Sequence, residues 1–227
     1  MGTLAERLEV IEGLLGDACV ESGRGRNEVT LVAVSKRQPN DLVLQAYRCG
    51  VRDFGENTLQ GLEARRLWAD ECGLTDIRWH FIGQIQSRKA KSIWGQVSLV
   101  HTFDRLKLIR TLEGELVKRQ AALIQVNLGG EEQKGGVEPA ALPKLLHETK
   151  ALGANISGLM CIPPNDGEPE RWFASLRDLS QELAESGLLP AEPHLSMGMS
   201  SDFVTAVRYG ATLVRVGSSL FGERMTQ

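Results

Sequence analysis

The chain has 227 residues, 42% of them hydrophobic and 24% charged, and its formal net charge is −3. This balance is typical of a folded globular protein and argues against intrinsic disorder. The slight acidic excess argues against a nucleic acid or an anionic membrane surface as the main partner, so we expect neither among its partners.

The first predicted element is an amphipathic helix over residues 3–22. It carries Glu6, Glu9, Glu12 and Asp17. It has neither the basic start nor the continuous apolar core of a signal peptide. No apolar run in the chain is long enough to span a bilayer, and we therefore expect a cytoplasmic protein.

The cysteines show no pattern typical of a metal site or a redox motif. They are Cys19, Cys49, Cys72 and Cys161. None belongs to a CxxC pair, and no histidine stands at zinc-ligand spacing. We expect reduced thiols in the core or on the surface, and no metal.

Short apolar runs then alternate with helical patterns to the end of the chain. The runs, each predicted to be a strand, are 31–35, 51–54, 78–82, 99–103, 123–126, 156–160, 195–197 and 212–216. Several are almost continuously apolar, as strands buried on both faces must be. Between the runs, apolar residues recur at helical spacing, for example Leu106, Ile109, Leu112 and Leu116, and again in segment 170–186.

Strands that alternate with helices in this way predict an α/β fold, a single (β/α)8 TIM-type barrel with an extra N-terminal helix. We expect one domain over residues 1–227. The rival fold is an open doubly wound sheet, which usually carries GxGxxG after its first strand, where this chain reads VSKRQP. The turn-rich loop 163–169 fits a surface loop as well as a linker.

In a (β/α)8 barrel the functional residues follow the strands, on the C-terminal rim. Lys36 closes LVAVSK and shares its strand parity with Val32 and Val34, so all three should point the same way. An amine partly removed from water at an apolar barrel mouth has a lowered pKa and can attack a carbonyl. The alternative is an ordinary strand-end lysine that reaches into solvent.

Arg215 lies inside the last predicted strand, in Leu213-Val214-Arg215-Val216. A guanidinium in a barrel interior keeps its charge and therefore needs an acceptor or a carboxylate beside it. It is a candidate for contact with a ligand, and the alternative is a structural ion pair with a neighbouring strand.

Two loops rich in small residues precede the last two predicted helices. Ser200-Ser201-Asp202 leads into helix 203–209, and Gly217-Ser218-Ser219 leads into a short helix that ends at Phe221. Backbone N–H groups at such places bind anions, and the loops after strands seven and eight form the usual phosphate site of these barrels. For each serine the alternative is simple N-capping.

These features together predict a lysine amine, a buried cation and a phosphate cradle around one barrel mouth. A phosphorylated compound with a carbonyl group would satisfy all three. Pyridoxal 5′-phosphate (PLP) is one such compound, and a sugar or triose phosphate is another.

The chain resembles the YggS/PROSC family of pyridoxal phosphate homeostasis proteins, relatives of the alanine racemase barrel. The matching stretches are LVAVSK (31–36), FGEN (54–57), WHFIGQIQ (79–86), QVN (125–127), GLMCIPP (158–164), LSMGMSSDF (195–203) and GATLVRVGSSLFGER (210–224). They follow one another over nearly the whole chain. Thr58, Arg88 and the loop 131–135 are places where this sequence departs from the family pattern or where the resemblance assigns no role.

The resemblance implies a role for each predicted site residue. Lys36 would hold PLP as a Schiff base, and Arg215 would face the pyridine nitrogen. Asn57 and His80 would lie near the ring or its pocket. The residues implied for the phosphate are Ser200, Ser201, Gly217 and Ser218.

The resemblance implies a PLP carrier that acts in PLP homeostasis and either buffers PLP or delivers it to PLP-dependent apo-enzymes. A racemase of the alanine type needs a second base, but Tyr47 and Tyr209 are predicted in helices away from the rim. A guanidinium at the pyridine nitrogen also weakens the ring as an electron sink, which by itself does not decide between a carrier and a racemase. We expect no catalytic residue and a monomer. The alternatives are a PLP-dependent amino-acid racemase and a PLP-independent barrel enzyme acting on a phosphorylated sugar.

Four further side chains are candidate bases or rim groups. His80 lies within a predicted strand, where a hydrogen-bonded core histidine is the simpler interpretation. His194 precedes strand seven, at the opposite end of the barrel. Asp104 and Cys161 follow strands four and six, and Asp104 is expected to cap the next helix.

Overall fold

The computed structural model describes residues 2–112, 115–131 and 134–222, except for the side chains at positions 115 and 116. Its strands form a closed parallel barrel in sequence order. They are β1 (Thr30–Val34), β2 (Asp53–Glu56), β3 (Arg78–Phe81), β4 (Leu99–Phe103), β5 (Ala121–Val126), β6 (Ile156–Cys161), β7 (His194–Ser196) and β8 (Leu213–Val216). The pairing of β8 with β1 places Arg215 opposite Val32 and closes the barrel. The predicted (β/α)8 fold is confirmed.

Helices surround the barrel, as predicted. They are α1 (Leu4–Glu21), α2 (Asn40–Arg48), α3 (Leu59–Glu71), α4 (Ala90–Ile93), α5 (Leu106–Arg110), α6 (Glu115–Arg119), α7 (Leu142–Ala151), α8 (Pro169–Glu185), α9 (Phe203–Arg208) and α10 (Ser218–Phe221). The helical spacing over 106–116 corresponds to two short helices. Leu112 lies in neither of them but is buried, so an irregular buried segment can imitate helical periodicity here.

The extra N-terminal helix α1 packs against the last two helices of the barrel. Thr3 and Glu6 form a capping box at its start, which satisfies N–H groups that have no partner within the helix. The helix lies against α9 and α10, and Arg7 Nε donates a hydrogen bond to the Leu220 carbonyl over 2.7 Å. It therefore holds the two helices that follow β7 and β8.

Strand parity divides the barrel residues between its interior and its outer face. An apolar cluster inside the barrel consists of Val32, Leu99, Leu123, Met160 and Leu213. Each comes from a different strand, as expected for a layer of a filled barrel interior. Polar side chains lie further along some of the same strands, and they line or support the site described below.

Strand β2 begins and ends two residues later than the sequence predicts. The prediction followed the apolar pair Val51 and Phe54, whereas the strand runs over Asp53–Glu56. Asp53 and Glu56 are both buried. Burial of a carboxylate requires partners from other elements, which a hydrophobic pattern does not contain.

The remaining sequence predictions concern membranes, thiols and metals. None of the helices within the described residues is both long enough and apolar enough to span a bilayer. Cys19 and Cys161 are buried thiols and Cys49 and Cys72 exposed ones. Over the ranges given above, no group of His, Cys, Asp and Glu side chains is placed to hold a metal ion.

Candidate functional site

A cavity of about 340 Å³ lies at the C-terminal rim of the barrel. Its lining consists of Val34, Lys36, Ile82, Ile162, Met199, Ser200, Ser201, Arg215, Gly217 and Ser218. Six of the eight predicted site residues are in this set. A larger cavity of about 460 Å³, beside α8 and Leu195, contains none of them. The chemistry of the lining, and not the volume, therefore identifies the candidate site.

Lys36 lines the cavity from the turn after β1. Val32 belongs to the interior cluster and Val34 lines the cavity, so the predicted common direction of the three side chains is correct. Lys36 is half-buried. Arg37 follows with a φ of 60°, a left-handed conformation that turns the chain sharply out of the strand.

A buried carboxylate that sequence reasoning left without a role lies next to Lys36 in this structure. Glu56 accepts a hydrogen bond of 2.7 Å from Ser35 Oγ, and its Oε1 is 3.6 Å from Arg65 Nε. Burial raises the Glu56 pKa, and the hydrogen bond from Ser35 and the charges of Arg65 and Lys36 oppose that rise. Its signal in the sequence was a carboxylate directly after Phe54-Gly55, at the carboxyl end of the second predicted strand.

Arg215 is 5% exposed and holds two neutral partners. Its Nη1 donates to Ser196 Oγ over 2.6 Å, and its Nη2 donates to the Cys161 carbonyl over 2.9 Å. Burial lowers the Arg215 pKa, whereas the negative charge of Asp202 opposes that decrease. Within the described residues no carboxylate is hydrogen-bonded to Arg215, so the alternative of an ion pair with a neighbouring strand is not what the structure contains.

The loops after β7 and β8 are joined through one hydroxyl group. Ser200 Oγ accepts hydrogen bonds from the backbone N–H of Gly217 at 3.2 Å and of Ser219 at 3.3 Å. Ser219 Oγ returns a hydrogen bond to the Ser200 carbonyl. Two N–H groups thus converge on one oxygen atom at the edge of the cavity, an arrangement that suits an anionic oxygen.

No serine in these loops occupies the N-cap position of the helix that follows it. Asp202 occupies the N-cap position of α9 and Gly217 that of α10, and neither cap position makes a side-chain hydrogen bond into its helix. Asp202 instead accepts a hydrogen bond from the Met199 N–H over 2.6 Å. Capping therefore does not account for Ser201 or Ser218, whereas Ser200 accepts the Ser219 N–H in the first turn of α10 from the neighbouring loop.

Asn57 and His80 are not among the residues that line the rim cavity. Asn57 borders a separate cavity of about 380 Å³, together with Arg37 and Glu56. His80 is buried inside the barrel, 3.0 Å from Asp53 Oδ1 and 2.9 Å from His101 Nε2. The core interpretation of His80 therefore agrees with its surroundings, and the contact of either residue with a ligand stays a prediction.

Two interior residues near Arg215 were missed in the sequence. His101 and Ser196 are fully buried and hydrogen-bonded to each other over 2.8 Å. The signal for His101 was its strand parity: it is two positions from Leu99 in β4, so both side chains point to the barrel interior. The contact between the two residues could not be predicted, because 95 positions separate them in the sequence.

The other candidate rim groups lie elsewhere or are unreactive. Burial raises the pKa of the Cys161 thiol to about 12. Asp104 pairs with the adjacent Arg105 and caps no helix, because α5 begins after Arg105 without a side-chain cap, so that expectation was wrong. His194 is the first residue of β7 and lies at the opposite end of the barrel, as predicted.

The two tyrosines lie outside the cavity lining. Tyr47 is in α2 and donates a hydrogen bond to Asp76. Tyr209, predicted as the last residue of a helix, is the C-cap one residue after α9 ends, and its ring lies beside Arg177.

The surface features that the resemblance left without a role have local explanations in part. Thr58 caps α3 by accepting a hydrogen bond from the Gly61 N–H over 3.1 Å. Arg88 is exposed and reaches Gln86. Of the loop 131–135, positions 132 and 133 lie outside the described residues. Lys134 pairs with Glu131 and donates to the Pro163 carbonyl.

Known proteins similar to this chain fall in one family. Residues 23–225 match the family described as alanine racemase, N-terminal domain. The pyridoxal phosphate homeostasis protein of Aquifex aeolicus is 42% identical over 226 residues, with 96% of this chain and 97% of that protein covered. The protein of the same name from Escherichia coli K12 is 35% identical, with 99% and 98% covered.

Two solved structures of PipY from Synechococcus elongatus have the same fold. The structure without PLP has a TM-score of 0.83 and 35% identity, and it covers 97% of this chain and all of that one. The structure with PLP bound has a TM-score of 0.79 and 34% identity over the same shares. An alanine racemase from Corynebacterium glutamicum, at 16% identity and a TM-score of 0.66, shares the fold alone.

Proposed function

We propose, from the premise that this chain belongs to the pyridoxal phosphate homeostasis proteins within the alanine racemase N-terminal domain family, that it binds PLP in the rim cavity and acts in PLP homeostasis. It would hold PLP as a Schiff base on Lys36 and either buffer PLP or deliver it to PLP-dependent apo-enzymes. The relatives are named as homeostasis proteins, and PipY is described with PLP bound.

The residues of the cavity fit the chemical groups of PLP. Ser200, Ser201 and Ser218 offer hydroxyl donors, and the Gly217 N–H already meets an oxygen atom. These groups would hold the phosphate. Small residues and backbone N–H groups let a phosphate approach closely. Apolar side chains on the opposite walls would exclude water from a flat ring; they are Val34, Ile82, Ile162 and Met199.

Lys36 and Arg215 would meet the reactive end and the ring nitrogen. When bound, PLP supplies an aldehyde that condenses with a lysine amine and releases one water molecule. Arg215 has N–H groups to donate and no proton that it gives up readily, so it would hydrogen-bond an unprotonated pyridine nitrogen. Its uncharged partners, Ser196 and the Cys161 carbonyl, leave its positive charge directed at the cavity.

The observation that carries the proposal is the convergence of Lys36, Arg215 and the two serine loops on one cavity. These groups come from both ends of the chain, and the pairing of β1 with β8 brings them together. Among the residues that the structure describes, none with a carboxylate, imidazole or phenol side chain lines this cavity. A racemase needs such a second base, so the composition of the cavity favours a carrier.

The test is the absorbance spectrum of the purified protein with PLP, followed by borohydride reduction and peptide mass mapping. We expect a yellow protein whose reduced adduct maps to Lys36. Lys36→Ala should lose the adduct, and Lys144→Ala, which changes an exposed lysine on α7, should keep it. Circular-dichroism melts of both variants check that the fold is intact, as expected for a residue on the rim.

Other outcomes would overturn the proposal. Absence of an adduct even with added PLP would favour a barrel that binds a phosphorylated sugar. Steady turnover of an amino acid that disappears in Lys36→Ala would favour a PLP-dependent racemase. Collapse of the Lys36→Ala melt would show that Lys36 is structural.

A further inference from the structure

A row of buried polar side chains crosses the interior of the barrel. Asp53, His80, His101, Ser196 and Arg215 come from β2, β3, β4, β7 and β8, and each is buried. Four hydrogen bonds join them in that order, with lengths of 3.0, 2.9, 2.8 and 2.6 Å. The link between His101 and Ser196 spans the interior, because β4 and β7 are not neighbours in the barrel. We call this row the barrel relay.

The two ends of the barrel relay fix its direction. Arg215 is a donor only, and an ionised Asp53 is an acceptor only. Burial of Asp53 opposes its ionisation, but hydrogen bonds from His80 and Arg78 outweigh burial and lower its pKa. Arg78 Nε contacts the same Oδ1 atom as His80, over 2.8 Å. A carboxylate held by two donors stays charged at neutral pH.

The two ends of the relay determine where the hydrogen atoms lie on His80, His101 and Ser196. When both imidazole rings are neutral, His80 donates from Nε2 to Asp53, so its Nδ1 is the acceptor for His101 Nε2–H. His101 Nδ1 therefore accepts from the Ser196 hydroxyl, and Ser196 Oγ in turn accepts from Arg215. Every hydrogen bond points from Arg215 towards Asp53, and both histidines carry their proton on Nε2.

A proton added at His80 would reverse part of this order. His80 would donate to both neighbours, and His101 would donate from Nδ1 to Ser196. Ser196 Oγ would then accept from His101 and from Arg215, and its own hydrogen would lose its acceptor. A buried donor without a partner is costly. Burial, together with the positive charge of Arg215, holds the His101 pKa well below its usual value, in agreement with a neutral His101.

We propose that the barrel relay sets the position of the Arg215 guanidinium, with Ser196 and His101 as positioning residues. Ser196 and the Cys161 carbonyl fix two of its N–H groups and hence its plane. The other N–H groups are left for a ligand in the rim cavity. The expected effect on PLP binding rests on the proposed function, whereas the prediction of the histidine tautomers is independent of it.

The first test uses the unmodified protein without PLP. The chain has four histidines, so ¹⁵N-histidine NMR gives few signals, and His147→Gln and His194→Gln identify the two exposed ones. We expect His101 to be neutral at neutral pH, and both His80 and His101 to carry the proton on Nε2 that the directed relay requires. A His101 proton on Nδ1, or a doubly protonated His80, would overturn the directed relay.

The second test compares two buried serines. Ser196→Ala removes the acceptor of Arg215 and the donor to His101. Ser180→Ala removes a buried hydroxyl in α8 that has no hydrogen-bond partner. We expect Ser196→Ala to bind PLP about tenfold more weakly and Ser180→Ala to bind like the wild type, with circular-dichroism melts reporting on the fold of both.

A spectroscopic readout separates positioning from a merely structural role. A guanidinium less firmly held suppresses protonation of the ring nitrogen less, so the pH midpoint of the bound PLP spectrum should rise in Ser196→Ala by about one unit. A midpoint and an affinity equal to those of the wild type would overturn the inference. Failure of the wild-type protein to bind PLP would overturn the proposed function instead, and the histidine tautomers would still decide the relay.

Discussion

Ser200 Oγ accepts a hydrogen bond from the Gly217 N–H over 3.2 Å and thereby joins the loops after β7 and β8. The same oxygen accepts from Ser219. The two loops are separated by α9 and β8 in the chain, so this hydroxyl links them directly at the proposed phosphate end of the cavity. Because few hydrogen bonds hold the two loops together, we expect substitution of Ser200 to change ligand binding measurably.

Ser200→Ala should weaken PLP binding by about tenfold, because it removes a hydroxyl donor from the cavity and leaves two backbone N–H groups without their present acceptor. Titration followed by absorbance gives the Kd. Ser175→Ala, at an exposed position of α8, is the matched control and should bind normally. Equal affinities for the two variants would show that Ser200 does not take part in binding.

Glu56→Ala should lower the free energy of unfolding by about 3 kcal/mol, because it leaves the Arg65 guanidinium buried without its carboxylate. Urea unfolding at neutral pH measures the change. Glu63→Ala, which removes an exposed carboxylate from α3, should cost much less. If both variants unfold at the same urea concentration, the ion pair of Glu56 with Arg65 contributes nothing to stability.

The free energy of unfolding should depend on Asp53 in acid. Hydrogen bonds from His80 and Arg78 lower its pKa in the folded protein despite burial. The stabilisation is therefore complete above the unfolded pKa of about 3.9 and is lost as the pH falls through the lower folded pKa. The stability difference between the wild type and Asp53→Asn should shrink as the pH falls from about 6 to 3.

Urea unfolding across that pH range measures this difference, with the exposed Asp70→Asn as a control. A difference that does not change with pH, or one that grows in acid, would contradict an ionised Asp53 in the folded barrel.

Gly198→Ala should disturb the loop that leads from β7 to α9. Gly198 has a φ of 90°, and an added Cβ would lie 2.5 Å from the Ala206 Cβ. Gly167 has a φ of 81° but open space around it, so Gly167→Ala isolates the backbone cost, which is about 1 kcal/mol.

We expect Gly198→Ala to lose clearly more stability than Gly167→Ala and to bind PLP more weakly, because the clash moves Ser200 and Ser201. Thermal melts and PLP titrations of the two variants provide the comparison. If the two glycines cost the same and both variants bind PLP normally, close packing at Gly198 is not what positions the loop.

The amino-acid sequence determined the barrel and the direction of the rim residues. Its short apolar runs predict strands buried on both faces, and their number and alternation with helices predict the closed fold. The parity of Lys36 with Val32 and Val34 placed the amine at the cavity, and the order of the last two loops placed the serines beside it. These features are local, so a linear pattern contains them.

Only the tertiary structure decided which polar groups meet. Parity directs both His101 and Ser196 to the interior, but they contact each other across 95 positions of sequence. The start of β2 at Asp53 and the burial of Glu56 depend on Arg78, His80, Ser35 and Arg65, which come from other elements. A buried polar group is stable only with partners brought by the fold, and a hydrophobic pattern does not record those partners.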